Sequence, residues 1–166
     1  PQPNPAGAAD LRSVMFVNST TGWIAGNDGK ILYTTNAGTN WVLQTSGTPN
    51  TLRTVCFLNS QTGWAAGNLG TIVKTINGGS SWTTQPTGMT DWFYSIKFVN
   101  AQTGWAAGDG GKIIATSNGG TNWVLQTSNT SNMFTSPIRS LFKNSNKQQE
   151  VFAECKFKRK AFSGRV

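Results

Sequence analysis

An all-β chain assembled from repeated four-stranded units is what this sequence predicts, and three observations predict it. The first is an internal period. LRSVMFVN at Leu11 returns as LRTVCFLN at Leu52 and as FYSIKFVN at Phe93, a step of 41 residues each time. The second is that tryptophan and glycine keep the same step: Trp23, Trp64 and Trp105 follow Thr-Gly, Trp41, Trp82 and Trp123 form a second column, and Gly26, Gly67 and Gly108 form one of four glycine columns. The third is composition. The 166 residues are crowded with Thr, Ser, Asn, Gly and Trp, including 19 glycines and 7 tryptophans, and only 12% are charged. Such residues favour strands and tight turns over helices. A fixed period of this length marks stacked units, each too small to bury its own faces.

The first repeat divides into four strands separated by turn residues: Ser13 to Val17, Gly22 to Gly26, Lys30 to Thr34 and Trp41 to Thr45. The first alternates, with Val14 and Phe16 on one face and Met15 and Val17 on the other, as suits an inner strand packed between neighbouring units. The glycines fall where a reversal needs positive φ or a close backbone approach. Four antiparallel strands make one β-propeller blade. The expected organisation is a linker at 1–10, three blades at 11–51, 52–92 and 93–133, and a segment at 134–166 that is either a degenerate fourth blade or a basic tail. The propeller is therefore open or partial. After Trp123 a fourth repeat begins as IRSLF at Ile138, four residues late, and then loses the pattern. The remaining faces need covering by the tail, by a second copy in a homodimer, or by the rest of a longer chain.

The segment TTNAGTNW at Thr34, repeated as TINGGSSW at Thr75 and TSNGGTNW at Thr116, resembles the Asp-box of the bacterial neuraminidase repeat. Asn36, Asn77 and Asn118 stand at its aspartate position, Gly38, Gly79 and Gly120 at its glycine, and Trp41, Trp82 and Trp123 at its tryptophan. Asn40 and Asn122 replace its hydroxyl residue. Combined with Thr-Gly-Trp-x-Ala-Gly, the repeat is similar to those of photosystem II assembly and stability factor propellers over roughly residues 11–128. The resemblance implies a turn between the third and fourth strands whose side chains close it and anchor the tryptophan. It also implies an extracytoplasmic protein (secreted, periplasmic or lumenal) that acts as a non-catalytic binding or assembly scaffold, with a secreted glycan-binding or sialidase-like Asp-box protein as the alternative.

Catalysis finds few resources. The chain has no histidine, which removes His-based triads and zinc sites. Its two cysteines, Cys56 and Cys155, match no metal motif, and a disulfide between them stays open. Glycosidase chemistry wants paired carboxylates or a tyrosine nucleophile with an acid partner. The repeats offer no glutamate, and Asp28 and Asp109 lie a blade apart. Tyr33 reads as packing, Cys56 as a core or channel residue, and Gly108-Asp-Gly-Gly111 as a blade turn without the lysine and helix of a phosphate loop. The expectation is no catalytic residue, no metal and no cofactor.

A partner would meet the inner-strand ends around the central channel. One polar column starts successive first strands: Arg12, Arg53, Tyr94 and, in the incipient fourth repeat, Arg139. Guanidinium groups in such a ring suit a carboxylate-bearing peptide or an anionic glycan, the alternative being solvated edge residues. Trp92, the one tryptophan outside both periodic columns, is a second candidate contact or a packing residue. A protein or peptide partner is expected, with a glycan as the other choice. The net charge of +8 does not argue for nucleic acid, because residues 1–137 hold six bases against four acids and the tail from 138 holds eight against two. No apolar run reaches the ~20 residues that span a bilayer.

Overall fold

A computed structural model of the chain describes residues 9–128, together with Pro5 and Gly7. The expected fourth unit, including Arg139 and Cys155, lies outside the described residues, as does most of the linker.

Twelve strands follow one another in chain order among the described residues. The first blade holds β1 (Leu11–Phe16), β2 (Gly22–Gly26), β3 (Lys30–Thr34) and β4 (Val42–Thr45). The second holds β5 (Leu52–Phe57), β6 (Gly63–Gly67), β7 (Ile72–Thr75) and β8 (Thr83–Gln85). The third holds β9 (Phe93–Phe98), β10 (Gly104–Gly108), β11 (Ile113–Thr116) and β12 (Val124–Gln126). Each set forms its own antiparallel four-stranded sheet with neighbours in sequence order. The three sheets stack through their first strands, β1 on β5 and β5 on β9. This is the all-β, partial-propeller arrangement that the repeat predicts. The inner strand starts two residues earlier than the alternation indicates, at Leu11 rather than Ser13, because a β-bulge at Arg12 interrupts the alternation while pairing continues to Leu11.

The core lies between sheets. Trp23, Ala25 and Ile31 of the first blade pack on Leu52, Val55 and Phe57 of the second. The second joint repeats this with Trp64, Ala66 and Ile72 against Phe93, Ile96 and Phe98. At each joint an indole lies flat on a phenyl ring: Trp23 on Phe57 at 3.6 Å and 9°, Trp64 on Phe98 at 3.5 Å and 6°. Burying each phenylalanine is worth about 1.5–3 kcal/mol, and the ring pair adds about 0.5–1.5 kcal/mol. The indole N–H then crosses to the next blade, Trp23 Nε1 donating to the Gly78 carbonyl and Trp64 Nε1 to that of Gly119, both at 3.2 Å.

The glycine of Thr-Gly-Trp has a steric cause. A Cβ at Gly63 would stand 2.5 Å from the Phe57 ring, and Gly22 and Gly104 face Phe16 and Phe98 in the same way. Tyr33 stacks on Trp23 at 5.1 Å and is packing, as expected. Cys56 is buried in the second joint.

Candidate functional site

The turn after each third strand is closed by its own side chains. The Thr34 hydroxyl donates to Asn36 Oδ1 (2.9 Å) and accepts from the amides of Asn36 and Gly38, while Asn36 Oδ1 also accepts from the Asn40 amide. Thr75 with Asn77 and Gly79, and Thr116 with Asn118 and Gly120, repeat this network. The asparagine carbonyl does here what a carboxylate oxygen would do, accepting from both the hydroxyl and the amide four residues on. Trp41 lies over Gly38, with Trp41 Cζ2 3.3 Å from where a Cβ would be. Trp82 and Trp123 sit edge-on to the joint phenylalanines Phe57 and Phe98. These groups are occupied by architecture and leave little to offer a ligand.

The polar column is placed differently. Pairing of β1 with β2 shifts register between Leu11 and Ser13, and that of β5 with β6 between Leu52 and Thr54. In the third blade Ala107 faces Ser95 and Gly108 faces Phe93. Arg12, Arg53 and Tyr94 are therefore the extra residue of a bulge in each blade, a device that re-aims a side chain at a strand end. All three reach the residue fifteen positions on. Arg12 Nε donates to Asn27 Oδ1 at 2.9 Å, Arg53 Nε to Asn68 Oδ1 at 2.6 Å, and the Tyr94 hydroxyl to Asp109 Oδ1 at 2.9 Å. Backbone bonds close the same corner, from Asn27 N to Asp10 O, Asn68 N to Thr51 O and Asp109 N to Trp92 O.

The two described arginines differ in their charge environment. Arg12 is salt-bridged to Asp10 at 3.1 Å. Arg53 has its guanidinium 4.5 Å from the Trp92 ring centroid and 5.1 Å from that of Tyr94, and no carboxylate among the described residues pairs with it. Trp92 is thus both exposed and in contact across the second joint. Asp109 is held by the Tyr94 hydroxyl and the Trp92 amide (3.2 Å), and Asp91 by Lys112 at 2.7 Å. Burial raises the Tyr94 pKa, the hydrogen bond to Asp109 and its negative charge raise it further, and nearby Arg53 lowers it in part. The result is a fixed cation with aromatic walls at the mouth of the second joint, suited to an anionic or carboxylate-bearing group.

The structure brings Arg53, Trp92 and Tyr94 together and leaves Arg12 a blade away with its own acid. Sequence reasoning missed Asn27, Asn68 and Asp109 as partners of the column. The signal was available: where Arg becomes Tyr at the bulge, Asn becomes Asp fifteen residues on. Among the described residues no cluster of three His, Cys, Asp or Glu side chains forms that would hold a metal ion, and no helix is long and apolar enough to cross a membrane.

Residues 38–139 match the family described as photosynthesis system II assembly factor YCF48, well over half of the chain. Among solved structures, the chain is similar to YCF48 bound to D1 peptide, with 23% identity, a TM-score of 0.64, and 70% of this chain against 40% of that one. YCF48 from Cyanidioschyzon merolae gives 21% identity and a TM-score of 0.66, covering 77% of this chain and 40% of that one. An ancestral GH74 enzyme is similar at 22% identity and a TM-score of 0.55, over 68% of this chain and 18% of the other. The chain thus spans about 40% of the length of the YCF48 structures it matches. No curated protein matches the sequence significantly.

Proposed function

Since the chain belongs to the photosynthesis system II assembly factor YCF48 family, we propose that it is a non-catalytic assembly scaffold that grips a carboxylate-bearing peptide at its inner-strand bulges, with Arg53 and Trp92 as principal contacts. The observation that carries the reading is the Arg53 guanidinium, held by Asn68 and by two ring faces yet paired with no carboxylate among the described residues. Pre-ordering a cation lowers the entropy cost of meeting an anion. A D1-derived peptide is the partner to try first, because a similar propeller is described as bound to one. An extracytoplasmic setting belongs to the same proposal.

The glycan-active alternative draws little support. Among the described residues Asp10, Asp91 and Asp109 are each engaged by Arg12, Lys112 or Tyr94, so few carboxylates stand ready to give or take a proton. The test is fluorescence anisotropy with a labelled D1 peptide. Arg53→Ala should weaken binding about tenfold or more, the scale of a lost charge-assisted contact, Trp92→Ala less, and Arg12→Ala least. Unchanged affinity in both Arg53→Ala and Trp92→Ala would place the peptide elsewhere or remove it as a ligand.

A further inference from the structure

The turns that receive the joint indoles carry a reactive dipeptide. Two of the three read Asn-Gly, at Asn77-Gly78 and Asn118-Gly119, whereas the first reads Asn36-Ala37. A glycine amide carries no Cβ to hinder its approach to the side chain of the asparagine before it. We propose that Asn118, and more slowly Asn77, deamidates spontaneously through a cyclic imide, and that Lys74 of the neighbouring blade speeds the reaction at Asn118 alone.

The chemistry needs only water. The Gly119 amide nitrogen gives its proton to a solvent base and attacks Asn118 Cγ, forming the new C–N bond of the imide. The side-chain nitrogen leaves as ammonia, taking a proton from water. Water then opens the ring at either carbonyl and leaves the carboxylate of an aspartyl or an isoaspartyl residue.

The folded turns restrain this step unequally. Gly78 N–H donates to the Gln61 carbonyl and Gly119 N–H to that of Gln102, both at 2.8 Å, so ring closure waits on local opening. The second-blade turn is held at three further points. Its Gly78 carbonyl accepts from Trp23 Nε1 at 3.2 Å and Gln44 Nε2 at 2.9 Å, and Asn77 Nδ2 donates to Ser81 Oγ at 2.9 Å. The third-blade turn keeps the indole bond alone, Trp64 Nε1 to the Gly119 carbonyl at 3.2 Å, and has Asn122 in place of the serine. Fewer bonds must break before Asn118 can react.

A cation adds to the difference. Lys74 Nζ stands 2.8 Å from where a Cβ on Gly119 would be, and 5.4 Å from the centroid of the Trp64 ring. At the same point on Gly78 the described residues bring the Ser60 carbonyl oxygen, at 2.8 Å, and no cation, since the counterpart of Lys74 in the first blade is Tyr33. The ammonium favours the anionic nitrogen that attacks. An isoaspartyl product inserts a methylene into the main chain just before Gly119, displacing the carbonyl that ties Trp64. Ageing of the chain therefore acts first on the second joint.

The test incubates the full chain in mildly alkaline buffer, folded and in urea, and follows conversion at Asn36, Asn77 and Asn118 by peptide mapping with mass spectrometry. Labelling by an isoaspartate methyltransferase identifies the isoaspartyl product. Asn118 should lead, Asn36 should stay intact, and the ratio of the Asn118 rate to the Asn77 rate should be about tenfold larger folded than in urea, the scale of one or two hydrogen bonds. Lys74→Gln should slow Asn118 by about two- to fivefold in the folded chain, as a partly solvated charge would, with Lys74→Arg restoring it and Asn77 unmoved. Ser81→Ala tests the restraint without touching Lys74 and should speed Asn77. A rate ratio unchanged by unfolding, or an Asn118 rate indifferent to Lys74→Gln, overturns the proposal.

Discussion

Tyr94 is the residue whose chemistry differs most from its counterparts, since it carries a titratable hydroxyl where the first two blades carry arginine. The phenol holds its proton more tightly in the folded chain than at its ordinary value of 10.0. The stability it contributes is therefore fully present below about pH 10 and lost as pH rises through the higher folded value. Melting followed through that range should show a steeper alkaline loss in the native chain than in Tyr94→Phe, and equal slopes would remove Tyr94 as the cause. The turn threonines act through satisfaction rather than charge. Thr75→Val strands the Asn77 and Gly79 amides that its hydroxyl serves, and should cost about 1–3 kcal/mol in denaturant unfolding. These hydroxyls were readable in advance from TINGGSSW and its copies, because a Ser/Thr-x-Asn turn has a local hydrogen-bonding solution. The bulge partners were not, because a bond between residues 53 and 68 depends on the register shift, and the first-strand alternation alone does not reveal a bulge.

The blade as an element owes its shape to two glycine positions that fail for different reasons when substituted. At Gly67 a Cβ would run into the Thr51 carbonyl, where the bulged strand crosses its neighbour. Gly88 has φ +67° and open space around it. Gly67→Ala should therefore cost about 1–3 kcal/mol through forced backbone displacement, and Gly88→Ala only about 1 kcal/mol from the left-handed conformation, a ranking that thermal midpoints can check. Strands β2 and β3 fall where glycine and apolar spacing put them. The inner strand begins earlier than its alternation indicates, and β4 starts at Val42 rather than at Trp41, whose ring is committed to Phe16 and Gly38. Periodicity shows that strands exist and which face each residue takes; it is blind to an inserted residue that breaks the period locally.

At the scale of the whole molecule, stability passes from blade to blade through two similar joints, so the chain should behave as coupled units with nearest-neighbour terms. Trp64→Ala removes the indole, its stack on Phe98 and its bond to Gly119. A loss of about 3–5 kcal/mol is expected, with amide protection falling in β9 to β11 more than in β1 to β4. Equal loss everywhere would mean the three blades unfold as one unit. The indole stacks have an optical consequence as well. A ring pinned parallel to its neighbour and tied at its nitrogen cannot reorient, so Trp23 and Trp64 are fixed chromophores in asymmetric surroundings. Each joint should therefore contribute its own near-ultraviolet circular dichroism band, and the spectrum of single Trp→Phe variants would report which joint has opened before any strand is lost.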